Sequence, residues 1–233
     1  TTVLNPALIT TDFDLLRFEA AAFDQLRDSG LDHVNHTNDD LETNGISPFS
    51  TLLISSPYNN PGHYLPLETL DLPSTLFAKA LTALKPARAD YATASYTSAL
   101  NFPVILNLLR ELSLDEGFQW DSECSFYVVV FRSRLKKDVD IEELYRLDYE
   151  SHREACESGG LLKYWFGKVD AERRNLATCF WRSREDARKG GLGPWHAKAR
   201  NAARTMYESI TFATHRFTIL RGATDLRLED WTD

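Results

Sequence analysis

The order of elements between residues 125 and 219 restricts what this chain can fold into more than any other feature. "SFYVVVFRSR", from Ser125, is β-branched and aromatic, the composition of a strand. "DIEELYRLDYESHREACESGG" follows with helical spacing, Asp140 placed to cap its start and Gly159 to stop it. "LLKYWFGKV" and "NLATCFWRS" read as two strands joined by the charged turn "DAERR". "SREDARKGG" and "PWHAKARNAARTMYESI" read as helix, broken at the glycines and restarted at Pro194, before "TFATHRFTIL" closes as a strand. The order is β-α-β-β-α-β, the split βαβ or ferredoxin-like plan: a four-stranded antiparallel sheet with two helices on one face.

Both faces of that sheet are apolar. Phe126, Val128 and Val130 alternate with Tyr127, Val129 and Phe131 on the first strand, and Leu176 and Phe180 alternate with Cys179 and Trp181 on the third. Two helices cover one face only, so the other must pack on the upstream region or on the sheet of a second subunit. The expected division is therefore a helical and irregular region, 1–120, packed on a ferredoxin-like domain, 121–233. In the upstream region "DFDLLRFEAAAFDQLRDSG" has helical spacing, Ser74 is placed to cap "TLFAKALTALK", and "PVILNLLREL" carries Pro103 in its first turn. "FSTLLISS" reads as a strand, whereas "SPYNNPGHYLPLETLDLP" holds proline and glycine too densely for regular structure.

Composition removes several classes of function. A net charge of −8 over 233 residues disfavours nucleic acid, which needs a basic surface to displace counterions. No run approaches the roughly 20 apolar residues of a membrane span. Cys124, Cys156 and Cys179 are an odd set without C-x-x-C spacing, so neither a disulfide framework nor a zinc site is indicated. With an N-terminal "TTVLNPALITTDFD" that lacks the basic head and apolar centre of a signal peptide, the expected setting is the cytoplasm. His33, His36 and His63 sit in loops without a metal-binding pattern, and neither a G-x-S-x-G nor a Walker sequence occurs. No metal and no cofactor are expected.

The strings "FYVVVFRS", "ESGGLLKYWFG", "NLATCFWRSREDARKGG" and "LFAKALTALKPARADYATASY" resemble an uncharacterised protein family of fungi, one of the UPF series, over residues 70 to 220. The C-terminal part is similar to the dimeric α/β-barrel superfamily. That resemblance implies a homodimer with a small hydrophobic ligand held between sheet and helices, in a superfamily that includes cofactor-free monooxygenases, polyketide cyclases, decarboxylases and lactone isomerases. The fold does not choose among these reactions.

The candidate chemistry lies on the central helix. Tyr145, Asp148, His152 and Cys156 recur at spacings of three and four and share one face, flanked by Tyr149. A carboxylate there can hold one imidazole nitrogen and leave the other to move a proton, with Tyr145, Tyr149 and Tyr164 as hydrogen-bond donors. The alternative is an ordinary surface pair. Trp165, Trp181 and Phe217 share their strands' parity with Lys163, Cys179 and His215, which suggests one ligand-lining wall; the alternatives are core and interface. "RKGGLGPWHAKAR" delivers a helix N-terminus beside Trp195 and His196, suited to an anion, to the rim of a lid, or simply to a helix break. The resulting expectation is cofactor-independent acid–base chemistry, as in a cyclase, isomerase, dehydratase or decarboxylase acting on an aromatic or polyketide-like molecule. A cofactor-free oxygenase and a non-catalytic ligand-binding dimer are the alternatives.

Overall fold

The computed structural model describes residues 52–58 and 61–232. The helix expected near residues 12–30 and the loop histidines His33 and His36 lie outside them.

The expected β-α-β-β-α-β order is present as β3 (Cys124–Leu135), α4 (Ile141–Ser158), β4 (Leu161–Phe166), β5 (Arg174–Trp181), α5 (Arg184–Gly190) with α6 (Pro194–Met206), and β6 (Tyr207–Ile219). The sheet is antiparallel in the order β4-β5-β3-β6, extended by an edge strand, β7 (Leu226–Asp230). Short charged "LRLED" gives little strand signal, so β7 depends on pairing with β6 instead of on its own propensity. Upstream lie β1 (Leu52–Ile54), β2 (Tyr64–Pro66), α1 (Leu72–Ala80), α2 (Tyr96–Ala99) and α3 (Phe102–Asp115). β1 and β2 form a small hairpin, so the proline-dense stretch contributes a strand where none is expected.

Caps set the helix limits. Asp140 accepts from the Glu143 amide at 3.0 Å, and α4 ends at Gly159, whose φ of 83° suits glycine. Ser183 accepts from the Asp186 amide at 3.1 Å to start α5. α1 departs from expectation: it begins at Leu72, and Asp71 is the cap, accepting from the Ser74 amide at 2.9 Å. Pro73 then sits in the first turn, where a missing N–H costs nothing.

The sheet separates two apolar layers. Phe126, Val128, Val130, Trp165, Leu176, Phe180 and Phe217 form one core with α1 and α3. Phe77 of α1 lies 4.5 Å from Phe126 and 5.5 Å from Phe217, centroid to centroid. Burying each such side chain contributes about 1.5–3 kcal/mol. Of the two covers open to this face, the chain supplies its own. Arg132 reinforces the closure by donating to the carbonyls of Ala92 and Ala94. On the opposite face Tyr127, Leu161 and Trp181 pack with Ala155 and Cys156 of α4.

Candidate functional site

The inward stripe of α4 consists of Leu147, Ser151, His152, Ala155 and Cys156, with Asp148 at its side. Tyr145 belongs to the same arc in sequence but lies one turn too near the helix start and is 50% exposed, outside the cluster. Asp148 does not hold His152. Its carboxylate accepts from Tyr164 Oη at 2.6 Å and from Tyr58 Oη. Burial pushes the Asp148 carboxyl above its usual range, and these two hydroxyls oppose that rise. Both tyrosines are driven upward, first by burial and then by the neighbouring carboxylate.

His152 is paired with a residue from 89 positions upstream: its Nδ1 lies 2.8 Å from Nδ1 of His63, with the rings nearly parallel. Cys156 Sγ is 3.6 Å from His152 Nε2 and 3.7 Å from its Nδ1. Burial lowers both imidazoles, His63 to about 4 and His152 well below its ordinary value, so the pair is neutral near pH 7. The same burial raises the Cys156 thiol to about 12, keeping its proton on sulfur. Tyr149 closes the group, its ring 4.2 Å from that of His63 and edge-on to Tyr58 at 5.2 Å.

Tyr58 and His63 come from the connection of the β1–β2 hairpin. The hairpin is fastened beside β4 by the Tyr164 amide, which donates to the Ser55 carbonyl at 2.8 Å. Neither Tyr58 nor His63 stands out in the sequence. The available signal is "SSPYNNPGHY" itself: a loop between strands that carries an imidazole and two phenols is suited to a site placed by a rigid scaffold.

The aromatic wall is not a single surface. Trp165 is registered with Thr178 and Val130, whereas Trp181 is registered with Tyr127, so the two tryptophans project from opposite faces of the sheet. Lys163, Trp165 and Phe217 are buried on the α1–α3 face, together with Tyr96, whose Oη meets Thr178 Oγ1 at 2.7 Å. His215 points toward the same layer, its Nδ1 3.1 Å from Asp230 Oδ1. Trp181 and Cys179 face α4. Parity along one strand fixes a face only for that strand; the register between strands decides which residues share it.

The N-terminus of α6 is already filled by a carboxylate of the chain. Glu154 accepts from the Trp195 amide at 2.8 Å and the His196 amide at 3.0 Å, and lies 3.2 Å from His196 Nδ1. Those bonds hold the Glu154 carboxyl below its usual value against the opposing effect of burial. The expected anion seat is thus a helix cap, and a Cβ on Gly193 would fall 2.1 Å from this carboxylate. Beside it a groove of about 460 Å³ opens between α4 and the α5–α6 junction, lined by Arg153, Glu157, Lys189 and Trp195 among others. His152 is not among its lining residues. Among the described residues no group of three or more His, Cys, Asp or Glu side chains is placed to hold a metal ion.

Fold and site together define an α+β protein with a ferredoxin-like sheet and, on its central helix, a half-buried Tyr–Asp–Tyr set beside a buried His–His pair. The chain belongs to the PB2B2.08-like family, whose model matches residues 54–230. It is 37% identical over 175 residues to the UPF0643 protein PB2B2.08 of Schizosaccharomyces pombe, a span of 72% of this chain and 79% of the relative. Similar solved structures include a putative antibiotic biosynthesis monooxygenase from Nitrosomonas europaea, 15% identical, with a TM-score of 0.34, covering 38% of this chain and 86% of that one. Another is SnoaB, a cofactor-independent oxygenase from Streptomyces nogalater: 12% identical, TM-score 0.33, covering 40% of this chain and 90% of that one. Among the described residues no helix is long and apolar enough to cross a membrane.

Proposed function

We propose that the protein is a small-molecule enzyme that moves protons, without a cofactor, at the cluster on α4. The reactions in view are cyclisation, isomerisation, dehydration and decarboxylation of an aromatic or polyketide-like molecule. One observation carries this reading: a half-buried carboxyl group is held by two tyrosine hydroxyls, beside two buried imidazoles kept neutral by their burial. An apolar set would fill that layer at lower cost, and groups with mutually displaced pKa values are the usual means of running acid and base steps together.

The roles differ from those expected of an Asp148–His152 dyad. His152 has one ring nitrogen engaged by His63 and lies against Cys156, so it acts as a positioning residue for His63. Asp148, raised above its ordinary value, takes up and returns the proton, with Tyr58 and Tyr164 as its hydroxyl partners. A homodimer, if part of this function, would use a surface other than the Trp165 face, which α1 and α3 already cover.

The test is conversion of a panel of phenolic and polyketide-like ketones, followed by liquid chromatography with mass detection and an oxygen electrode. Asp148→Asn should abolish conversion while the melting transition persists. Conversion unaffected by that change would refute the role of Asp148. Oxygen consumed in step with product would assign the oxygenase reading, and binding without conversion the carrier reading.

A further inference from the structure

The outer edge of β6 is covered for part of its length only. β7 pairs with residues 215–219, and the Trp231 amide donates to the Thr214 carbonyl at 2.9 Å, where that cover ends. Near its start β6 gains one residue on β3: Ser209 faces Arg134 and Tyr207 faces Leu135, so Glu208 is bulged out. Between these limits residues 209–213 pair with β3 on one side and, among the described residues, with no strand on the other. Every residue of the run is exposed, Ile210 at 40% and Phe212 at 72%.

The direction of the open backbone groups follows from Thr214. Its carbonyl points away from β3, and in an antiparallel sheet a residue directs its N–H and C=O to the same side. Alternation turns the N–H and C=O of Phe212 and Ile210 outward as well. Proteins blunt such an edge with lysine, proline or charge. The run "SITFA" carries none of them. Glu208, the neighbouring carboxylate, is engaged at 2.8 Å by Arg173 of the same chain, so two such edges meet without opposed charges.

The run is its own complement. Laid antiparallel on itself about a two-fold axis at Thr211, it sets Ile210 opposite Phe212 of a second copy, and the reverse. These are the residues with outward backbone groups, so each pair exchanges both hydrogen bonds. Their side chains lie on the α4 side of the sheet, registered with Ser133 and Phe131, and match a β-branched residue to an aromatic one. Thr211 meets Thr211 on the other face, also a favourable pairing. The bulge at Glu208 falls where the β7 of the second copy begins.

We propose that residues 209–213 of β6 are the seam of a homodimer, in which a second copy of this chain is hydrogen-bonded edge to edge. The two sheets run as one, in the order β4-β5-β3-β6-β6-β3-β5-β4, with α4 of both copies on the same side. The seam leaves the face covered by α1 and α3 undisturbed, and it does not depend on the proton-transfer reading.

A strand edge of this length is a small interface, so association in the micromolar range is expected. Sedimentation velocity of the full-length protein, from about 1 to 100 μM, should show a monomer–dimer equilibrium. Ile210→Lys and Phe212→Glu should each weaken it about tenfold or more. Their melting transitions should match that of the native chain, since both side chains are exposed in the single copy. An equimolar mixture of the two variants should restore the dimer, because the introduced ammonium then faces the introduced carboxylate and the second pair is native. A native chain that stays monomeric throughout, a dimer insensitive to both changes, or a mixture that does not associate would each overturn the seam.

Discussion

Lowering the pH should destabilise this protein through the His63–His152 pair, and the size of the effect follows from the displaced titration of His63. Burial brings its pKa from 6.5 in the unfolded chain to about 4 in the folded one. Between those values the unfolded state binds the proton and the folded state does not, so stability rises with pH across the window. The contribution is fully present above pH 6.5 and is lost as pH falls toward 4. At about 1.4 kcal/mol per unit the loss is about 3 kcal/mol at most. His152, also depressed, acts in the same direction. Asp148 acts in the opposite one, because its raised carboxyl binds a proton more readily in the folded state as pH falls. Urea unfolding at intervals from pH 7.5 to 4.5, for the native chain and His63→Gln, measures the difference. The native chain should lose more stability than the variant, mostly between pH 6.5 and 4.5. Parallel curves for the two proteins would show that His63 does not titrate as its burial requires.

Gly190→Ala should cost about 1–3 kcal/mol, since a Cβ there falls 2.3 Å from the Trp181 ring; thermal melting together with tryptophan fluorescence checks it. Glu154→Ala removes the cap of α6 and should cost about 0.5–2 kcal/mol, with faster hydrogen exchange at the Trp195 and His196 amides that it engages. Unchanged exchange at those amides would remove Glu154 from that role.

What the sequence made legible was whatever depends on local periodicity. Val128 and Phe180 mark their strands because β-branched and aromatic residues run unbroken there, and Asp140 and Gly159 bound α4 because caps act over a single turn. The partnership of Asp148 was not legible. Helical spacing places it near His152, but whether its oxygens meet an imidazole or a phenol depends on how β4 and the hairpin dock, and spacing along one helix does not contain that information. The same limit misplaced Trp181 relative to Trp165, since a strand reports its own alternation and not its offset against a neighbour. His63 was passed over because a loop residue beside proline and glycine carries no period to interpret.

The hairpin that fastens to β4 through the Ser55 carbonyl has one more consequence. The cluster on α4 is completed by residues encoded about ninety codons earlier, so a fragment starting at residue 121 would keep every strand of the large sheet and α4 to α6, but not α1 and α3, which cover its other face. It would nevertheless lack the phenol on Asp148 and the imidazole on His152 that the leading segment provides. The same upstream segment thus supplies both the cover of one sheet face and two of the side chains that meet α4 on the other.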